Sequence, residues 1–117
     1  MNKPMASNIS TSLIISTYNR SDALELCVKS VLRQSLLPDE IIIADDGSKE
    51  DTRELIHQLA ASSEVPIIHV WHEDLGFRLA SIRNKAIAKA SKEYIIQIDG
   101  DIVLHKDFVK DHVRFAK

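Results

Sequence analysis

The chain has 117 residues and a mass of 13.2 kDa, enough for one domain with a buried core. Its 44% hydrophobic and 27% charged residues are the proportions of an ordinary soluble protein and speak against disorder and against residence in a membrane. A formal net charge of −2 supplies no basic field to attract nucleic acid, and the single Cys27 excludes an internal disulfide.

Met1 to Thr11 is polar, lacks an apolar core of signal-peptide length and is expected to be a flexible leader, residues 1–11. Leu13-Ile14-Ile15 is the first predicted strand and ends in Ser16-Thr17-Tyr18-Asn19-Arg20. Asp22 followed three residues later by Glu25 is a capping-box pattern, after which Leu24, Cys27, Val28, Val31 and Leu32 recur on one helical face. Cys27 thereby reads as a small packed hydrophobe, in keeping with a reducing, cytoplasmic setting. Leu36-Leu37-Pro38 closes that helix, and Glu40 to Ala44 is the second strand. Ser48 is then expected to cap a helix reaching about Ala61, with Leu55, Ile56 and Leu59 on its inner face. Val65 to Trp71 is strand three, its proline tolerable near the start. Arg78 to Ser91 is a helix burying Leu79, Ile82, Ala86 and Ala90; Tyr94 to Ile98 is strand four; Lys106 to Lys117 is the last helix.

This alternation predicts an α/β fold, a mostly parallel sheet with right-handed crossovers and helices on both faces, formed by residues 12–117 as one unit. In such sheets ligands sit beyond the carboxyl ends of the strands. Each polar cluster falls there: Ser16 to Arg20, Asp45 to Ser48, His72 to Asp74 and Asp99 to Asp101.

Asp45-Asp46-Gly47-Ser48 has two readings that can hold together. In one, aspartate bonds its own backbone, glycine supplies a positive φ and serine caps the helix. In the other, a carboxylate accepts the imide N–H of a uracil or a ribose hydroxyl. Asp99-Gly100-Asp101 is harder to explain as a plain turn, because two carboxylates at the tip of an apolar strand repel one another and lose hydration unless a cation or donors compensate. Such hard oxygen ligands suit Mg²⁺ or Mn²⁺ carrying a phosphate, and Gly100 would let the backbone approach the ligand. Arg83, set among the inner apolar positions of its helix, needs an anion, for which a diphosphate is the obvious candidate. His69, His72 and His105 fit no zinc spacing.

Four segments, Leu13 to Arg20, Ile43 to Ser48, Ile82-Arg83-Asn84-Lys85-Ala86 and Ile98 to Asp101, together resemble the family 2 glycosyltransferases over residues 12–117. The resemblance implies the GT-A fold, a nucleotide-diphospho-sugar transferase architecture, here incomplete. It also implies an inverting, metal-dependent transfer of sugar from a nucleotide donor, a UDP-sugar, to a glycan or other hydroxyl acceptor in polysaccharide biosynthesis. Asp74-Leu75-Gly76-Phe77-Arg78-Leu79-Ala80 further resembles the branch of chondroitin-polymerase-type enzymes. Carried onto these residues, the resemblance assigns Ser16, Tyr18 and Arg20 to the base and donor pocket and Asp46, with Asp45, to the uracil. It places Arg83 near the ribose and phosphates, Asp101 on Mn²⁺ or Mg²⁺, and Asp99 on the ribose or the metal and its water shell.

The departure from the family is extent. Only sixteen residues follow Asp101, and the general base that an inverting displacement needs has no candidate in this chain. His105 and Asp107 begin the last helix rather than face an acceptor. The chain is expected to be the donor-binding half of a longer enzyme, with self-association through exposed apolar surface. Any peripheral contact with the cytoplasmic face of a membrane would come through a part outside it. Two alternatives compete. Ile96 to Val103 also resembles the first motif of haloacid-dehalogenase-type phosphatases, with Asp99 as nucleophile, but that leaves Asp45-Asp46 and Arg83-Asn84 unexplained. A catalytically silent nucleotide-sugar binding module would keep the pocket without a base.

Overall fold

Two of the apolar runs, around Ile14 and Ile42, have no polar face, which is the pattern of strands covered on both sides. A computed structural model describes residues 9–116 and bears this out. β1 (Thr11–Thr17) and β2 (Glu40–Asp45) are buried along their whole length at the centre of a four-stranded sheet. β3 (Ile67–Trp71) pairs with β2 and β4 (Tyr94–Asp99) with β1, all parallel, giving the order β3-β2-β1-β4. Between and after them run α1 (Ser21–Leu32), α2 (Glu50–Ser62), α3 (Leu79–Lys89) and α4 (Phe108–Ala116).

The strand period of two divides the apolar residues between the faces. Leu13, Ile15, Ile41, Ile43, Ile96 and Ile98 pack on one side with Leu24, Cys27, Val28 and Val31 of α1, Ile56 of α2, and Val109 and Val113 of α4. Ile14, Ile42 and Ala44 face the other side, where Ile82 and Ala86 of α3 cover them. The expected α/β sheet with helices on both faces is therefore present, three helices against one.

Several boundaries differ from expectation for local reasons. Thr11 belongs to β1 and Ser10 donates from backbone and hydroxyl to Glu93, so only residues 1–8 of the expected leader fall outside the described residues, as does Lys117 at the other end. The Asp22 capping box does not form, because α1 starts two residues earlier, with Arg20 at the N-cap and Asp22 inside the first turn. Ser48 does not cap α2 either. Its hydroxyl accepts the Asn19 N–H (2.8 Å), Lys49 takes the N-cap position, and Thr52 rather than Leu55 joins Ile56 on the buried face. β3 begins two residues later than Val65, although the Pro66 carbonyl still accepts the Ile41 N–H (2.9 Å) and Val65 stays in the core.

Candidate functional site

All four strands point their carboxyl ends the same way, so the loops after them form one rim. Hydrogen bonds lock that rim. Asn19, the one non-glycine residue at positive φ (49°) among the described residues, donates its N–H to Ser48 Oγ and accepts the Lys49 N–H through Oδ1 (2.7 Å). The Asp46 N–H donates to the Thr17 carbonyl (3.0 Å) and the Gly100 N–H to the Ser16 carbonyl (2.8 Å). Gly47, at φ 90°, lies so close to the next loop that a Cβ would stand 2.6 Å from the Asp74 backbone. Gly100 is needed for a similar reason: a Cβ there would stand 2.7 Å from the Ser16 carbonyl oxygen. The close approach expected of Gly100 is thus to β1.

On this rim opens a cavity of about 220 Å³, lined by Ser16, Thr17, Tyr18, Arg20, Asp46, Phe77, Leu79, Asp99, Gly100 and Asp101. A side recess of about 130 Å³ continues it between Tyr18, Asp46, Asp74, Gly76 and Phe77. Six residues expected at a site, Ser16, Tyr18, Arg20, Asp46, Asp99 and Asp101, therefore share one wall. Two others do not reach it. Asp45 is fully buried, with Oδ1 accepting the Ser48 N–H (2.9 Å) and Oδ2 facing His69 Nε2 (2.8 Å). The reading in which aspartate bonds its own loop thus holds for Asp45, and Asp46 alone of the pair lines the cavity. Arg83 stands beside the cavity, its Nη2 donating to Asp99 Oδ1 (2.9 Å), so the anion it faces is Asp99.

Ser16 Oγ also donates to Asp99 Oδ1 (3.1 Å), while Asp101 is exposed. Among the described residues no three His, Cys, Asp or Glu side chains converge as a metal site. Two carboxylates on one wall nevertheless match an ion that keeps several waters and completes its shell with phosphate oxygens.

Tyr18 donates its hydroxyl to Asp74 Oδ2 (2.6 Å). That bond to a carboxylate raises the pKa of the phenol and lowers that of Asp74. Asp46 is 3% exposed: Oδ1 meets His72 Nε2 (2.6 Å), Oδ2 accepts the Arg78 N–H (2.9 Å), and His72 Nδ1 in turn meets Lys85 Nζ (3.0 Å). The sequence places His72 and Asp74 beyond β3 and Lys85 beside Arg83 and Asn84, but assigns none of the three a role. Phe77, 89% exposed at the cavity rim, and Thr17, whose buried Oγ1 has no hydrogen-bond partner among the described residues, likewise lie in the motif segments without an assigned role. Their signal is tertiary: α3 crosses the sheet and brings residue 85 to residue 72. His105 and Asp107 lie elsewhere, Asp107 accepting from the Ser35 hydroxyl (2.6 Å).

The sequence pattern described as Glycosyl transferase family 2 matches residues 12–117. Chondroitin synthase of Pasteurella multocida is 30% identical over 112 residues, 95% of this chain and 11% of that protein. Among solved structures, S. aureus TarS in complex with UDP-GlcNAc superimposes with a TM-score of 0.73 at 23% identity, over 92% of this chain and 31% of that one. The mannosyltransferase PcManGT from Pyrobaculum calidifontis, in complex with GDP-Man and Mn²⁺, gives a TM-score of 0.81 at 21% identity, over 92% and 32%. These two likenesses show the GT-A fold, and the chain spans about a third or less of each of the three proteins. With its sequence matched from residue 12 onward, and its acidic strand ends gathered on one cavity, the chain belongs to glycosyl transferase family 2.

Proposed function

We propose that this chain forms the donor-binding part of an inverting, metal-dependent glycosyltransferase that takes a UDP-sugar and passes the sugar to a glycan hydroxyl. The observation that carries the reading is the convergence of Ser16, Tyr18, Arg20, Asp46, Asp99 and Asp101 on one cavity. The complexes of the structural neighbours with UDP-GlcNAc or with GDP-Man and Mn²⁺ support it, as does the chondroitin synthase relative for a polysaccharide acceptor.

In this reading Asp46, at the recess, accepts from the base, and Tyr18 forms a wall of the same recess. Arg20 and Ser16 line the donor pocket, and Arg83 holds Asp99 while adding positive charge beside the phosphates. Asp101 and Asp99 would hold Mn²⁺ or Mg²⁺, which when bound neutralises charge on the leaving nucleoside diphosphate. Arg83 and Ser16 both engage Oδ1 of Asp99, which leaves its Oδ2 without a protein donor among the described residues, and the exposed Asp101 supplies the less committed carboxylate. The general base is assigned to no residue of this chain. Neither His105 nor Asp107 lines the cavity, and an assay with a reporter acceptor separates an enzyme from the second reading, a binding module without turnover.

No helix among the described residues is long and apolar enough to cross a membrane. A reducing, cytoplasmic setting suits Cys27, which is buried and unpaired. Calorimetric titration with UDP, with and without Mn²⁺, tests the proposal. Metal-dependent binding is expected, and no binding in either condition defeats it.

A further inference from the structure

Asp46, His72 and Lys85 form a directed chain behind the recess. The Lys85 ammonium carries donors only, so the His72 Nδ1 that it meets at 3.0 Å accepts. A neutral imidazole with Nδ1 accepting carries its proton on Nε2, which then donates to Asp46 Oδ1 at 2.6 Å. The second oxygen already accepts the Arg78 N–H at 2.9 Å. Asp46 therefore receives a donor on each oxygen from inside the protein, and His72, 8% exposed, is held in one tautomer by a lysine two turns into α3. A carboxylate fixed this way offers only lone pairs to whatever enters between Tyr18, Asp74, Gly76 and Phe77.

We propose that His72 and Lys85 are positioning residues for donor-base selection: they keep Asp46 an acceptor, so the recess takes a nucleoside diphosphate whose base presents a ring N–H, as uracil does, and rejects cytosine, which presents a lone pair there. The inference rests on the reading of Asp46 as the base contact. A purely structural link between the two loops would need the same contacts but would have no effect on which base is preferred.

The test pairs two readouts on the full chain. Side-chain ¹⁵N NMR of His72 reports its tautomer without any nucleotide, and calorimetric titration with UDP and with CDP in Mn²⁺ reports selection. The Nε2–H tautomer and a UDP preference of roughly a hundredfold are expected, since a buried acceptor facing a lone pair is left unpaired. Lys85→Met, at an exposed position that should not threaten folding, is expected to mix the tautomers and cut that preference roughly tenfold. His72→Gln, which retains a side-chain N–H, should restore part of the preference that His72→Ala loses. An Nδ1–H tautomer in the unaltered chain, or an unchanged UDP to CDP ratio in Lys85→Met, overturns the inference while leaving Asp46 as the base contact. Equal binding of UDP and CDP by the unaltered chain, or binding of neither, overturns both.

Discussion

Asp99 and Asp101 sit two residues apart but in different surroundings. Asp99 faces the Arg83 guanidinium and the Ser16 hydroxyl, whereas Asp101 is exposed at the cavity with no protein hydrogen bond to its side chain among the described residues. An uncommitted carboxylate is the better ligand for a cation that must exchange water for protein oxygen. Asp101→Asn is therefore expected to weaken UDP binding in Mn²⁺ by roughly tenfold or more and to leave metal-free binding little changed. Titration of both proteins with and without Mn²⁺ checks this, and equal affinities in all four cases would remove Asp101 from the metal. Arg83 shows the limit of sequence reading at this scale. A guanidinium among apolar helix positions does announce an anion, but only the crossing of α3 over the sheet decides that the anion is Asp99.

At the scale of elements, the strands were legible because a strand buried on both faces needs an unbroken apolar run, which Ile41-Ile42-Ile43 supplies, while the half-exposed edge strand β4 still carries Ile96 and Ile98 on its buried face. The site was legible as far as strand ends define it. The helix starts were less so, since Asp22 and Ser48 carry cap-forming side chains whose geometry the neighbouring loops decide; Ser48 is drawn instead to Asn19. Such contacts between loops also give Gly47 its importance. Gly47→Ala combines a φ of 90° with a Cβ 2.6 Å from the Asp74 backbone, so about 1–3 kcal/mol of stability should be lost. Denaturant unfolding checks the loss. UDP affinity should fall with it, because the displaced loop carries the Arg78 amide that holds Asp46. A variant of unchanged stability would mean the two loops are not in contact.

Glu40 plays a comparable part at the opposite end of β2. It is buried, with Oε2 accepting from the Ser12 hydroxyl (2.6 Å) and the Ser91 N–H (2.8 Å), and Oε1 from the Ser91 hydroxyl (3.0 Å). Burial alone would raise its pKa. Those hydrogen bonds and the nearby Lys92 outweigh burial and hold the pKa below the usual glutamate value. A depressed folded-state pKa means stability that is fully present above the unfolded value, about 4.3, and is lost as pH falls through the folded value. Glu40→Gln should cost about 1–3 kcal/mol at pH 7 and flatten the fall in Tm below about pH 5, because the variant has no such proton to take up. Comparing Tm against pH for the two proteins isolates this group from Asp22, Asp74 and Asp107, whose pKa values are also lowered. Parallel curves would show that Glu40 is not the group responsible.

For the molecule as a whole, the two faces of the sheet are unequally covered. α1, α2 and α4 share one side, while α3 lies alone on the other, packed over β1, β2 and β3. The outward residues of β4, Ile95 and Gln97, are consequently exposed, and Ile87 of α3 and Ile102 and Val103 beyond β4 add apolar surface. β4 is also an edge strand whose far side pairs with nothing among the described residues. An open edge beside an uncovered apolar face favours association with another copy. Sedimentation of the isolated chain should therefore show a concentration-dependent rise in mass, and Ile95→Lys should shift the chain toward monomer by placing a solvated charge on that edge. The cavity proposed to take the nucleotide is lined from the carboxyl ends of β1 and β4, from Asp46 after β2 and from Phe77 and Leu79, while Ile95 lies at the opposite end of β4, so UDP binding by the lysine variant should be unchanged. A chain that stays monomeric at high concentration would show that this face is quiet despite its exposure. Loss of UDP binding on Ile95→Lys would instead mean that association through β4 helps to hold the cavity together.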